Sequence, residues 1–188
     1  MTVLVLGLIL FLGIHLLPVV PAGRQALLAR LGERRYKGLF SIVSLTGVAL
    51  IVVGYMHADR GPQLFAPAPA AIRIAPYAVT LALILFAAAN MRGHIRATLR
   101  HPMLIGLVIW AAVHLLANGD LRGTVLFGAF LVYGAVDLVS AIGRHAVKQF
   151  EPSPRFDVMA IVGGIVVALL VMTFHRLLFG PRVVPFGI

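Results

Sequence analysis

Six long apolar runs, separated by short basic or proline-containing segments, constrain this chain more than any other feature. A helix needs about 20 mostly apolar residues to cross a bilayer, with a usable range of about 17–25. The pattern predicts an all-α integral membrane bundle of six transmembrane helices, with residues 1–188 forming a single domain. The runs lie at about Thr2–Val20, Gly38–Met56, Ile74–Met91, Pro102–Ala117, Leu121–Ile142 and Asp157–Phe179, and the fourth is the shortest.

Composition agrees with lipid as the solvent for much of the chain. Hydrophobic residues make up 61% and charged residues 12%, whereas soluble domains average roughly 45–50% and about 25%. The net charge of +10 would suggest nucleic acid in a soluble protein, but these charges lie between the apolar runs. Anionic lipid at a membrane surface is therefore the expected partner, and nucleic acid is not.

Basic residues are unevenly distributed over the separators. Those after the first, third and fifth runs carry eleven, and the remaining separators and the C-terminal tail carry five. The positive-inside rule then places the basic segments in the cytoplasm and both termini outside, in the inner membrane of a bacterium. The eleven are Arg24, Arg30, Arg34, Arg35, Lys37, Arg92, Arg96, Arg100, Arg144, Lys148 and Arg155; the five are Arg60, Arg73, Arg122, Arg176 and Arg182.

The separators and the absent cysteines add further expectations. We expect Pro21–Lys37 to be partly helical, His57–Arg73 to be an irregular exposed loop, and Pro102 to occupy the first position of the fourth helix. The first Arg is Arg24, so no basic segment marks a cleaved signal peptide and the first run should remain as a helix. With no cysteine, disulfides, thiolate zinc sites, iron–sulfur clusters and a Cys nucleophile are excluded.

Polar residues at membrane depth are expensive and therefore mark candidate sites. His15 and His114 lie among apolar neighbours, in the inner half of the first run and the outer half of the fourth. Neutral imidazole is the commonest protein metal ligand, and two histidines on facing helices can hold a haem iron axially. The alternative is a hydrogen bond between helices for each ring. Counting residues from the run ends puts the two histidines at depths that differ by about 6 Å.

Other polar groups could support or line such a site. Asp137 could accept a hydrogen bond from His15 or His114 and fix the tautomer, but an ion pair with Arg100 or Arg144 is the preferred interpretation. Trp110 could line a pocket or simply face the core or lipid. The remaining polar residues near the run ends are Asn90, His57, His94, His101, His145 and His175.

One stretch carries a recognisable pattern, from Arg100-His101-Pro102 through Gly106, Trp110 and His114 to Asn118-Gly119-Asp120. Together with Gly13–Pro18 and Gly32–Ser41, it resembles the NnrU family of bacterial membrane proteins, first associated with denitrification. That family is in turn similar to the plant and cyanobacterial 15-cis-zeta-carotene isomerase, a membrane haem-b protein. The resemblance covers nearly the whole chain.

The resemblance implies haem b bound by His15 and His114, and an isomerase acting on a hydrophobic, carotenoid-like polyene, with membrane redox partners. Asp137, Trp110, Asn90, Asn118, Arg100 and His101 would be the candidates for supporting or lining that site. One departure concerns the cysteine that the isomerase carries three residues before its second histidine. This chain has Ala111 there, so exchange of the iron ligand for a thiolate of the chain is impossible.

Two other interpretations stay open. The first is a non-enzymatic accessory protein of nitrogen-oxide metabolism, acting through partners in the membrane. The second follows from Arg100-His101-Pro102, which also resembles the isoprenylcysteine and phospholipid methyltransferases, where basic residues help bind S-adenosylmethionine. Those enzymes carry a Tyr after the Pro and acidic residues further on, whereas Met103 and Leu104 follow here and the later cytoplasmic loop offers only Glu151.

Overall fold

The computed structural model describes residues 1–145 and 149–179, which leaves Lys148 and Arg182 of the charge count outside the described residues. Within these ranges the structure is helical, with one short 3-10 helix at Leu17–Val19. The α-helices are α1 Thr2–His15, α2 Pro21–His57, α3 Pro69–Ala88, α4 His94–Leu99, α5 Pro102–Asn118, α6 Leu121–Gly143, α7 Pro154–Thr173 and α8 His175–Phe179.

Proline fixes where four of these helices begin. Pro21, Pro69, Pro102 and Pro154 occupy the first helical position, where the missing N–H would have no helical partner and the fixed φ suits the helix. The expected start at Pro102 is confirmed. The helices of the third and sixth runs, α3 and α7, begin at Pro69 and Pro154, before the expected Ile74 and Asp157. Helical backbone extends beyond the apolar residues that mark a run.

Helix α2 is bent at Gly32. This glycine has φ 73° and ψ 159°, a conformation that L-residues with side chains rarely adopt. The bend separates an N-terminal arm, Pro21–Leu31, from the apolar part that continues to His57. The expected partial helix over Pro21–Lys37 is therefore continuous helix interrupted at one residue.

Five segments are long and apolar enough to cross a membrane, by length and composition, so the chain has the character of a multi-pass membrane protein. They are Thr2–Val19, Pro21–His57, Pro69–Ala88, Leu121–Gly143 and Pro154–Thr173. Helix α5 corresponds to the fourth apolar run and, at 17 residues, is shorter than these five.

The helices pack side by side in the order α2, α1, α6, α5, α3, α7. Neighbours run antiparallel except α1 and α6, which are parallel: Phe11 meets Phe130, and His15 meets Tyr133 further along both helices. This arrangement gathers the segments after α1, α3 and α6 at one end of the bundle. We call it the basic end, because it carries Arg24–Lys37, Arg92–Arg100, Arg144 and Arg155; the other is the opposite end.

Residues 58–68, at the opposite end, are more ordered than the expected irregular loop over His57–Arg73. Backbone N–H groups of Leu64 and Ala68 donate to the carbonyls of Gly119 and Leu116, at 2.8 and 2.9 Å. The Gln63 side chain donates to the carbonyl of Asn118 at 2.8 Å. These hydrogen bonds hold the segment against the C-terminal end of α5. Residues 69–73 already belong to α3.

At the basic end, one carboxylate ties α7 to α4. Asp157 accepts from the backbone N–H groups of His94 and Ile95, both at 2.9 Å, and lies 2.8 Å from Nδ1 of His94. These N–H groups belong to the first turn of α4 and have no partner within the helix. Asp157 therefore caps the N-terminus of α4, and the His94 side chain takes part in this contact between α4 and α7.

A close backbone contact joins α1 to α2 through glycines. A Cβ placed on Gly54 would lie 2.6 Å from Cα of Leu4, and one on Gly7 would lie 2.6 Å from the backbone nitrogen of Ile51. A Cβ on Gly47 would meet Phe11 at 2.8 Å. Small residues permit such approaches in membranes, where packing rather than water exclusion drives helix association.

We predict that Gly54→Ala destabilises the protein, because the new methyl group must push α1 away from α2. Overpacking of this kind costs about 1–3 kcal/mol. Gly38→Ala is the matched control on the same helix, since no atom lies within 4 Å of its Cβ position, and alanine there should be neutral or stabilising. Thermal unfolding in detergent, followed by circular dichroism, compares the two; equal behaviour of both variants would contradict the contact.

Candidate functional site

Aromatic rings fill the space between α1 and α6, whose backbones approach each other at fewer points than those of α1 and α2. The Phe11 ring lies 5.8 Å from that of Phe130, and Phe130 lies 5.7 Å from Trp110 of α5. Trp110 in turn lies 5.2 Å from Phe127. These four rings rest on a buried aliphatic cluster that includes Leu4, Leu8, Ile51 and Leu126.

His15 borders this group of rings at the last residue of α1. Its ring is half-buried and lies 4.2 Å from Phe11, 5.0 Å from Phe40 of α2 and 6.4 Å from Tyr133 of α6. Its Nδ1 lies 2.7 Å from the carbonyl oxygen of Phe11, one turn earlier. Helical side chains point back toward the preceding turn, which brings the imidazole to that carbonyl.

His114 borders the other side of this group of rings from α5 and repeats the local geometry of His15. Its Nδ1 lies 2.8 Å from the carbonyl oxygen of Trp110. Its ring stacks on Phe127 at 4.8 Å with an interplanar angle of 28°, and lies 5.0 Å from Trp110. The two histidines therefore touch one continuous group of aromatic rings.

The Nδ1 contacts define the tautomer of both rings. A carbonyl oxygen can only accept, so Nδ1 carries the hydrogen in each histidine. In the neutral imidazole Nε2 then has a free lone pair, which is the form that binds a metal ion, and a backbone carbonyl on the other nitrogen is the usual orienting partner. Among the described residues, no group of three or more His, Asp or Glu side chains is placed to hold a metal ion.

The two imidazoles lie at different depths in the bundle. His15 meets α6 at Tyr133 and His114 meets it at Phe127, six residues apart. At 1.5 Å per residue that is about 9 Å along the helix, in the same direction as the 6 Å expected from residue counting. The rings of Phe11, Phe130 and Trp110 lie between them.

Asp137 pairs with Arg144, one of the two partners that the sequence suggested, at 3.5 Å. It also accepts from the Tyr133 hydroxyl at 3.2 Å. Ser140 accepts from Arg144 on the same helix. Because Tyr133 also contacts His15, the Tyr133 side chain connects Asp137 to that histidine at the basic end of the site.

Two polar residues bound the site at the opposite end. The Asn118 amide donates to the carbonyl of His114 at 2.6 Å. The Arg122 guanidinium donates to the carbonyls of Tyr55 and Ala58, both at 2.9 Å, and lies 4.3 Å from the centre of the Tyr55 ring. Tyr55 lies 6.4 Å from Phe127, so Arg122 connects α6 to α2 beside the ring that stacks on His114.

The remaining candidates lie elsewhere. Asn90 is exposed at the end of α3 and donates to the carbonyl of Phe86 at 3.4 Å. Arg100 and His101 precede α5 at the basic end, 13 residues before His114, which is about 20 Å of helix. Arg100 has φ 63° and ψ −46°, and the N–H of His101 donates to the carbonyl of Leu99 at 2.6 Å. These features form a tight γ-turn of the rare, strained kind.

Sequence reasoning missed most of the aromatic residues of the site and Arg122. A signal was present on α6, where Phe127, Phe130 and Tyr133 recur every three residues and so share one face. Phe11 stands four residues before His15 and contacts it for the same reason. The contact of Phe40 with His15 could not be predicted from the sequence, because it depends on how α2 packs against α1.

Comparison with known proteins agrees with the motif on α5. The family model described as "NnrU protein" matches residues 3–183, nearly the whole chain. Neither a curated protein nor a solved structure matches the chain. Because the family match spans far more than half of the sequence, the chain belongs to the NnrU family.

Proposed function

We propose that His15 and His114 bind the iron of one haem b between α1, α5 and α6. The observation that carries the proposal is the shared geometry of the two histidines. Each has Nδ1 bound to the backbone carbonyl four residues earlier, each keeps Nε2 free, and both border one continuous group of aromatic rings, His15 at Phe11 and His114 at Phe127. Histidines on different helices of a bundle would hold the iron of this group through their imidazole nitrogens.

The residues present fit a porphyrin in chemistry. The lining is aromatic and aliphatic, as a macrocycle face requires, and the donors are neutral nitrogens. The Phe130 and Trp110 rings occupy the space between the histidines, so binding requires these rings to turn aside and lie against the macrocycle. Bound haem would supply a redox-active iron within the apolar part of the bundle.

The activity that we propose for this site is isomerisation of a hydrophobic polyene. Support comes from the apolar lining and from the resemblance of the family to a haem-dependent carotene isomerase. Ala111 is fully buried one turn before His114, where that enzyme carries its cysteine. Haem bound by His15 and His114 would therefore find no thiolate of the chain at this position.

We also propose that all six apolar runs span the inner membrane of a bacterium, with both termini outside. Helix α5 packs along α3 and α6, two helices of spanning length, and runs from the basic end to the opposite end between them. Its 17 residues rise about 26 Å, close to the ~30 Å hydrocarbon core. The basic end would face the cytoplasm by the positive-inside rule.

Haem binding is testable by spectroscopy. The full chain, purified in detergent from a haem-replete host, should show a Soret band that shifts on dithionite reduction and has the low-spin form typical of two imidazole ligands. His15→Ala and His114→Ala should each abolish the low-spin spectrum, because each removes one axial nitrogen. Added imidazole should restore it in part.

The matched control for this test is His57→Ala. His57 makes the same local contact, with Nδ1 2.9 Å from the carbonyl of Val53, but it is exposed at the end of α2. The spectrum should survive this change. A colourless wild-type protein, or equal loss in all three variants, would refute the proposal and favour the accessory role in nitrogen-oxide metabolism.

Membrane orientation is testable because the chain contains no cysteine. Ala66→Cys and Thr98→Cys place single thiols at exposed positions beyond the two ends of α5. In spheroplasts, a membrane-impermeant maleimide should label Ala66→Cys at once and Thr98→Cys only after permeabilisation. Labelling of both before permeabilisation would show that α5 does not span, and the reverse pattern would invert the orientation.

A further inference from the structure

The bend of α2 at Gly32 creates a cleft that the proposed haem site does not use. One depression of about 370 Å³ is lined by Tyr36, Lys37, Phe40 and Ser41. A second, of about 300 Å³, shares Tyr36 and Lys37 and adds Arg24, Leu28 and Glu33. The second depression thus includes residues on both sides of the bend, and we call the two depressions together the α2 cleft.

The α2 cleft has a cationic rim and an apolar floor. Arg24 lies 5.9 Å above the centre of the Tyr36 ring, within reach of a cation–π contact. Lys37 forms the other cationic group, and Tyr36, which is buried, forms the floor with Leu28 and Phe40. Residues 21–41 contain five basic side chains and one acidic one, Glu33.

Glu33 holds Lys37 in an ion pair at 2.6 Å, with both side chains more than 70% exposed. An exposed pair of this kind contributes only about 0–1 kcal/mol. Lys37 can therefore exchange Glu33 for a stronger anionic partner at little cost. The pair also gives the cleft a specific negative competitor that can be removed by mutation.

An exposed apolar stripe continues the cleft along the same face of α2. Lys37, Ser41 and Leu45 are spaced four residues apart, and Val48 and Val52 follow on that face. The Leu45 side chain is 72% exposed, and it lies about 12 Å from Lys37 along the helix, within the ~15 Å depth of one leaflet. The surface thus offers a place for an anion followed by a place for an acyl chain.

We propose that the α2 cleft is a binding site for an acidic phospholipid. Arg24 and Lys37 bind the phosphate, the Tyr36 ring and Leu28 contact the glycerol region, and one acyl chain follows Leu45, Val48 and Val52. The site lies at the basic end, which faces the inner leaflet and its anionic lipid in the orientation proposed above. It does not depend on haem binding, although Phe40 at its apolar end lies 5.0 Å from the His15 ring.

Native mass spectrometry of the full chain in a neutral detergent tests this site with phosphatidylglycerol as the probe. We expect one saturable copy, and no such binding of phosphatidylcholine with the same acyl chains. Replacing both cations (Arg24→Gln with Lys37→Gln) should weaken binding about 25-fold, or about fivefold for each charge near a membrane surface. Glu33→Gln should tighten binding, because Lys37 loses its competing partner.

The matched control is Arg34→Gln with Arg35→Gln, which removes two exposed charges from the same segment but outside the cleft. This variant should change the affinity by less than twofold. Equal loss in both double variants would show unspecific charge attraction and overturn the proposal. Binding of glycerol 3-phosphate as tight as that of the lipid would assign the cleft to a free phosphate ester instead. Thermal unfolding of each variant verifies that the fold is intact.

Discussion

The contact between α1 and α2 determines the geometry of the rest of the bundle. Glycines let the two backbones meet on one side of α1, at Gly7, Gly47 and Gly54. On its other side α1 reaches α6 mainly through aromatic rings. The backbone groups of a helix in lipid bond to one another within the helix and do not attach it to its neighbours. The position of the helix therefore depends on side-chain and backbone packing against those neighbours. This asymmetry leaves between α1 and α6 a region that side chains rather than backbones fill.

That region is where the two histidines meet the aromatic group, and helix geometry sets the state of both imidazoles. Each ring turns back to a carbonyl four residues earlier, which fixes Nδ1 as the donor and leaves Nε2 available. Because the orienting group is the chain's own backbone, the tautomer needs no second side chain. Asp137, which could have served this purpose, is instead neutralised by Arg144 and reaches His15 only through Tyr133.

Features that depend on neighbouring residues in the sequence could be predicted, whereas contacts between distant parts of the chain could not. Five of the six apolar runs correspond to segments long enough to cross a membrane, and Pro102 begins α5 as predicted, because both features reflect local properties. The starts predicted at about Ile74 and Asp157 lie five and three residues after the observed starts of α3 and α7, since polar and small residues can extend a helix beyond the lipid-facing part. The ordering of residues 58–68 was missed because its hydrogen bonds join Leu64 and Gln63 to residues more than 50 positions away. Phe40 and Arg122 belong to the site through the same kind of distant contact.

Charge is distributed so that the middle of the candidate site stays neutral. Asp137 and Arg144 compensate each other at the basic end, and Arg122 at the opposite end is held by two backbone carbonyls and the Tyr55 ring. Between them α6 presents only aromatic and small or aliphatic residues to α1 and α5. A charge left unpaired at that depth would be costly. A ligand between His15 and His114, as we propose, would be recognised by ring contacts, shape and coordination by Nε2, whereas the acidic phospholipid proposed for the α2 cleft would meet its cationic partners at the basic end of the bundle.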